Sequence, residues 1–520
     1  MKKQLVSSFF KNDLLKSSFG LLVITLIVKA LGYIEKLVLA NYYGTGYEVD
    51  VYTVVITIIL GFFFFFREII EPGFLRVFLE ARQKEKVENQ AWGIFNLGIR
   101  IILGITITIT IFVIFFSGSF LSIFAPGFGG NQYDLGKGLI RIGIPAAIFL
   151  ALSTLTSIIL NADKKFILPA SGEIVFKGAI VLSMILLFGS YGIYGAILGV
   201  VLGAIGRLVL HLSKLYKKIS FKKVEVKSVY KKHIWVLTWP LLLGVGFSQI
   251  STFIDNGFAS YLQEGAIAAL SYSKKVVELP VVMFPYILSI VVFPYFSQLA
   301  IEKNINKLQN LFANCLKWIL IVFIPITIFF LVYGYFIIEI IFQRGAFDVN
   351  STQLTTKPFL IYSIGLVFFA IETILVIYYY AIADTKTPVF VGMGCVVLNI
   401  ILTWIFVNKI GYIGIAWAFV IQKIVKNFIL LYLLKNRIDY CIKDVVSFVI
   451  KLCGATILFG FLMYFGKMFV FESSNHSLLS KISFMLCNFI VSIALFIFFL
   501  VITGSISLNK KVFFRQFLIF

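Results

Sequence analysis

Along most of its length the chain alternates long apolar runs with short segments that carry nearly all of its charge. Runs of about 18 or more apolar residues match the hydrocarbon core of a bilayer when wound as helices. About fourteen such spans are predicted, starting near Phe19, Val51, Trp92, Gly138, Phe166, Tyr191, Ile234, Leu279, Trp318, Pro358, Pro388, Tyr412, Val446 and Ile482. The first follows the basic stretch Met1 to Lys16, yet it is long, carries charges and lacks a small-residue cleavage site, so it reads as a retained helix and not a signal peptide. The fold class expected is therefore an all-α polytopic membrane protein.

Composition sharpens this. The 520 residues are 60% hydrophobic and only 13% charged, with 57 phenylalanines and a mean hydropathy of +0.99. A soluble domain keeps roughly a quarter of its residues charged, so a soluble enzyme is excluded. The net charge of +22 does not indicate nucleic acid, because the basic residues are scattered between apolar runs; anionic lipid head groups are the expected partner. Five cysteines without a CxxC pair and three dispersed histidines support neither a disulfide framework nor a metal site.

With an even number of spans both termini lie on one side. One alternate set of loops collects about 28 Lys and Arg and the other about 6, which makes the amino terminus cytoplasmic. The largest contributor is the linker holding Lys214, Lys217, Lys218, Lys222, Lys223, Lys227, Lys231 and Lys232.

That linker sits at the midpoint of an internal repeat. Ala40-Asn41-Tyr42 with Gly46 is matched by Ala259-Ser260-Tyr261 with Gly265, and Ile123-Phe124-x-x-Gly127 by Ile341-Phe342-x-x-Gly345. Ala162-Asp163-x-Lys165 is matched by Ala383-Asp384-x-Lys386, and Pro169 by Pro388, all at offsets of about 219 residues. Two six-helix halves follow, related by an axis along the membrane normal because six is even. The expected division is residues 1–213, a basic linker 214–233, residues 234–434, and two further helices with a cytoplasmic tail over 435–520.

Charges inside spans are costly, so they mark a cavity, a pair or a function. Lys29, Glu35 and Lys36 lie in the first span, with Lys29 and Lys36 on one helical face. Lys274, Lys275 and Glu278 precede Pro280 in the eighth. Asp50 and Asp255 place carboxylates near the outer side, and Glu173 and Lys177, four residues apart, read as a structural pair. Arg207, Glu372, Lys423 and Lys426 are dispersed and receive no role. The chain holds no phosphate loop and no nucleotide-binding domain, so transport would run on an ion gradient, the membrane potential or the substrate's own gradient.

Leu31-Gly32-Tyr33, Ala40-x-x-Tyr43-Gly44-Thr45-Gly46-x-x-x-Asp50, Phe124-Ala125-Pro126-Gly127-Phe128, Glu278-Leu279-Pro280, Phe342-Gln343-Arg344-Gly345-Ala346-Phe347 and Asp384-Thr385-Lys386-Thr387-Pro388 together resemble the MurJ (MviN) lipid II flippase family, over about residues 15 to 430. The resemblance implies two six-helix lobes around a cationic cavity plus two additional helices. It also implies movement of an undecaprenyl-pyrophosphate-linked cell-wall precursor to the outer leaflet of the bacterial cytoplasmic membrane, by alternating access. Lys29 and Lys275 stand where that family has cavity arginines, keeping the charge without the bidentate fork. Glu35-Lys36 inverts the family's Arg-Asp, Asp50 matches a family aspartate, and Arg67 matches an arginine of the second helix.

The expected cavity set is accordingly Lys29, Glu35, Lys36, Arg67, Lys274 and Lys275, with Asp50, Glu71 and Glu278 at the gate or in coupling. No cofactor is expected beyond a coupling ion or the membrane potential. The chain reads as a monomeric transporter of a lipid-linked oligosaccharide and not as an enzyme. One alternative is a flippase for another polyprenyl-pyrophosphate glycan. The other is a cation-coupled multidrug antiporter, whose cationic drugs Lys29, Lys36, Lys274 and Lys275 would repel.

Overall fold

A computed structural model describes residues 13–84, 89–218, 226–471 and 478–504. These residues form α-helices and short connections, with no strand among them. In chain order the helices are α1 (Asp13–Tyr43), α2 (Tyr47–Lys84), α3 (Asn89–Phe115), α4 (Ser117–Phe124), α5 (Gly130–Gly143), α6 (Ala146–Ala162), α7 (Ile167–Tyr191) and α8 (Ile193–Leu215). They continue as α9 (Ser228–Ser260), α10 (Ala266–Ile301), α11 (Ile305–Phe342), α12 (Val349–Ala381), α13 (Lys386–Ile410), α14 (Ile413–Phe471) and α15 (Leu478–Ile502).

Ten helical segments of the described residues are long and apolar enough to cross a membrane, two of them within α14. The pair α5 and α6, bent by 40° where Pro145 interrupts the ladder, makes an eleventh if counted as one span. The count of fourteen is thus not reached by this criterion. Helices α1, α9 and α10 run 31, 33 and 36 residues, enough for a bilayer core at about 1.5 Å per residue. In α1, however, Lys29, Glu35 and Lys36 fall within one short stretch, and in α9 and α10 some side chains lie outside the described set.

The outer faces are what lipid requires. On α3, Ile101, Ile105, Ile111, Phe112 and Phe115 are exposed, a continuous apolar surface that would aggregate in water.

The chain divides into two compact units, residues 1–268 with 344–348, and residues 269–343 with 349–520. Helix α9, expected in the second half, belongs to the first unit, where it packs on α2. Also in this unit, α7 and α8 approach closely because Gly199 and Gly203 face α7: a methyl group at Gly199 would meet the Ile180 backbone, and one at Gly203 the Phe176 carbonyl. In the second unit, α11, α12, α14 and α15 pack together, with α13 against α14.

The repeat recurs in backbone detail. Gly192 joins α7 to α8 at φ 53° and ψ −137°; Gly411, about 219 residues on, joins α13 to α14 at φ 63° and ψ −146°. Lys164 and Ala383, at the same offset, share the left-handed conformation at φ 59° and 61°.

Candidate functional site

The repeated landmarks meet crosswise within the first unit. The Ala346 N–H donates to the Asn41 carbonyl at 2.8 Å, and the Gly127 N–H donates to Ser260 Oγ at 2.9 Å. Asn41 and Ser260 are repeat equivalents, as are Gly127 and Gly345. Both glycines are required: Gly345 holds φ +57° with its α-carbon facing the Asn41 carbonyl, and a side chain at Gly127 would collide with the Ser260 backbone.

Helix ends are exchanged at the same place. Buried Asp50, in the first turn of α2, accepts the N–H groups of Gly265 and Ala268 at 2.7 Å each, satisfying donors at the start of α10. In return Glu264 accepts the Tyr47 N–H that opens α2 at 2.9 Å. The Asp50 carboxylate is thereby committed to backbone donors on both oxygens.

Two further acids of the first unit, Glu35 and Glu173, form cross-helix pairs. Glu35 is 4% exposed and binds Lys177 of α7 at 2.6 Å, while the Tyr52 hydroxyl donates to it at 3.3 Å. Glu173 accepts from Arg207 of α8 at 2.8 Å and lies 3.9 Å from Arg67 of α2. Glu173 and Lys177 are therefore not each other's partners. An i,i+4 pair is worth about 0.2–0.5 kcal/mol, less than pairing with a buried opposite charge on a neighbouring helix. Arg207 arrives there because it continues the stripe Gly195, Gly199, Gly203 on the face that meets α7.

Of the remaining expected cavity residues in this unit, Lys29 is exposed and makes no ion pair or hydrogen bond with a described residue. Arg67 is half exposed and Lys36 half buried. The Glu71 side chain lies outside the described residues.

In the second unit a cavity of about 510 Å³ is lined by Lys274, Glu278, Glu372, Phe419 and Lys423 among apolar neighbours. Lys274 and Glu278 were singled out from sequence; Glu372 and Lys423 were not, since nothing local marks them. Glu372 on α12 is shared by two lysines of α14, Lys423 at 2.8 Å and Lys426 at 2.6 Å. The spacing of three between those lysines, which puts both on one face, was the available signal. The Lys274 ammonium sits 4.1 Å from the centroid of the Phe419 ring, and that of Lys423 5.5 Å from it. Lys275, half buried, is not among the residues lining this cavity. Among the described residues no group of three or more His, Cys, Asp or Glu is placed to hold a metal.

Comparison with known proteins agrees with this architecture. The family profile described as lipid II flippase MurJ matches residues 39–485. The probable lipid II flippase MurJ of Buchnera aphidicola subsp. Baizongia pistaciae is 26% identical over 488 residues, covering 90% of this chain and 93% of that protein. Its counterpart in Vibrio cholerae serotype O1 is 29% identical over 435 residues, covering 78% and 80%. Among solved structures, a lipid II flippase MurJ in an inward closed conformation superposes with a TM-score of 0.76 at 24% identity, over 96% of this chain and 99% of that one. An inward-facing MATE multidrug transporter of the MOP superfamily gives 0.67 at 14% identity over 81% and 99%, a likeness of fold alone. With most of its length matched by one profile and its helices arranged as in a solved member, this multi-pass membrane protein belongs to the lipid II flippase MurJ family.

Proposed function

We propose that the chain is a flippase that moves lipid II, the undecaprenyl-pyrophosphate-linked peptidoglycan precursor, from the inner to the outer leaflet of the cytoplasmic membrane by alternating access. The observation that carries this reading is the match to the MurJ family across residues 39–485. The residues support it chemically. Lys29 and Arg67 in the first unit are accessible cations suited to a pyrophosphate, and Lys274 and Lys275 add cationic positions on α10. Glu35, expected in the cavity set, is assigned a structural part instead: bound to Lys177 and Tyr52, it fixes α1 against α7 and α2.

The crosswise contacts at Asn41, Gly127, Ser260 and Gly345, with Asp50 and Glu264 on the helix ends, are assigned to the gate on the outer side. The Lys and Arg asymmetry of the loops supports cytoplasmic termini and a basic linker resting on anionic lipid. The proposal includes a monomer driven by the membrane potential, with no covalent change in the cargo. Exposed Lys29 in the first unit and the cavity lysines Lys274 and Lys423 in the second disfavour a cationic-drug antiporter.

Complementation tests the reading. In a bacterium depleted of its own lipid II flippase, this chain should restore growth and cell shape. Rescue of an exopolysaccharide flippase mutant without rescue of the lipid II flippase mutant would contradict it.

A further inference from the structure

We infer that the cavity of the second unit is a second anion-binding subsite, in which Lys274 and Lys423 hold a phosphate or carboxylate oxyanion of the transported head group and Glu372 is the internal anion with which the cargo competes. The identity of the cargo rests on the flippase reading; the ligand class rests on the cavity itself.

Two ammonium groups, Lys274 and Lys423, and two carboxylates, Glu278 and Glu372, line the cavity, and a third ammonium, that of Lys426, holds Glu372 from outside the lining. Glu372 takes both lysines of α14, and no carboxylate of a described residue lies within 4.0 Å of the Lys274 ammonium. Among the described residues the Lys274 ammonium rests instead on the face of Phe419, which Lys423 also shares. A cation on an aromatic ring gains less than it gains from a charge-assisted hydrogen bond to an oxyanion beside apolar walls. Val277, Val281 and Val376 line the cavity beside these charges, and apolar walls strengthen the electrostatic interactions there. Two like charges over one ring also repel, and an anion between them removes that repulsion.

The sharing of Glu372 makes the exchange inexpensive. Lys426 is bound to the same carboxylate but is not among the residues lining the cavity. When Lys423 turns from Glu372 to the cargo, Lys426 stays, and no buried charge is left without a partner. When the cargo leaves, Glu372 takes Lys423 back, which limits how tightly the anion is held and lets it go.

The test measures binding to the purified full-length protein in lipid nanodiscs, with inorganic pyrophosphate, undecaprenyl pyrophosphate and lipid II as probes. Lys274→Gln and Lys423→Gln should each weaken inorganic pyrophosphate and lipid II by about tenfold or more, and Lys423→Arg should stay within about threefold. Glu372→Gln should change affinity in the opposite direction, tightening pyrophosphate several-fold, a sign that a general loss of structure would not produce. Equal losses for undecaprenyl pyrophosphate and lipid II assign the subsite to the pyrophosphate; a loss confined to lipid II assigns it to the peptide carboxylates. Unchanged affinity for all probes in both lysine variants overturns the subsite, and lipid II binding by the unaltered chain then leaves the flippase reading standing. If the unaltered chain ignores lipid II but binds pyrophosphate through these two lysines, the subsite stands and the flippase reading falls.

Discussion

The two units handle buried charge differently. In the first, acids meet cations across helices: Glu35 with Lys177, and Glu173 with Arg207 at 2.8 Å and, more loosely, with Arg67 at 3.9 Å. In the second, one acid serves two lysines and a third lysine rests on a ring at a cavity wall. The repeat makes the contrast direct, since Arg207 and Lys426 stand about 219 residues apart at equivalent places on α8 and α14. Arg207 finds its acid on α7, whereas at the corresponding place on α13 stands Gly392, which offers no side chain and lies against the end of Lys426, and Lys426 finds its acid on α12. Pairs across helices fix those helices; a lysine at a cavity wall with no carboxylate of a described residue within 4.0 Å can take an anion.

The comparison would break first at Glu35. Replacing it with Gln leaves Lys177 without its carboxylate in a membrane interior, and the folded protein should lose about 3–5 kcal/mol. Thermal unfolding in detergent should show a large drop, recovered in good part by adding Lys177→Met. If Glu35→Gln melts like the unaltered chain and only transport suffers, the first unit's pair is functional and not structural.

Next in size is the crosswise contact. Gly345→Ala meets both a left-handed backbone and the Asn41 carbonyl, and should cost about 1–3 kcal/mol. Labelling of a cysteine introduced nearby at Thr45, in an otherwise cysteine-free chain, should rise with it. Equal labelling in the two backgrounds would remove the gate assignment.

The smallest effect on stability is expected at Lys274. Its ammonium rests on the Phe419 ring with no ion pair to a described residue, so Lys274→Gln should change stability by about 0.5–1 kcal/mol at most while transport falls sharply. A destabilisation as large as that of Glu35→Gln would make Lys274 a structural residue and erase the difference between the units.

Much of this architecture was legible in the sequence because it is written in local pattern. The apolar runs gave the helices, and the landmarks around Asn41, Gly127, Ser260 and Gly345 gave a repeat whose members prove to be in contact. Lys274 and Glu278 stood out as charges in a span and do line a cavity. What the sequence could not supply were partners. Glu35 and Lys177 are 142 residues apart, and only the packing of α1 on α7 joins them. Glu173 and Lys177 satisfied the local i,i+4 rule and were drawn elsewhere by stronger partners. Glu372, Lys423 and Lys426 were ordinary dispersed charges until α12 and α14 packed together. The repeated Asp163 and Asp384 show the same limit: one binds Arg82 at 2.8 Å, the other caps α13 through Thr387.

The central claim is that this chain carries lipid II across the membrane. It is tested most directly by exposing intact cells, whose only lipid II flippase is this chain, to a membrane-impermeant enzyme that cleaves lipid II. The account predicts that cleavage matches that in cells with their native flippase and falls to the depleted level with the double variant Lys274→Gln and Lys423→Gln. Lipid II that stays protected while the protein is present in the membrane in normal amount would contradict it.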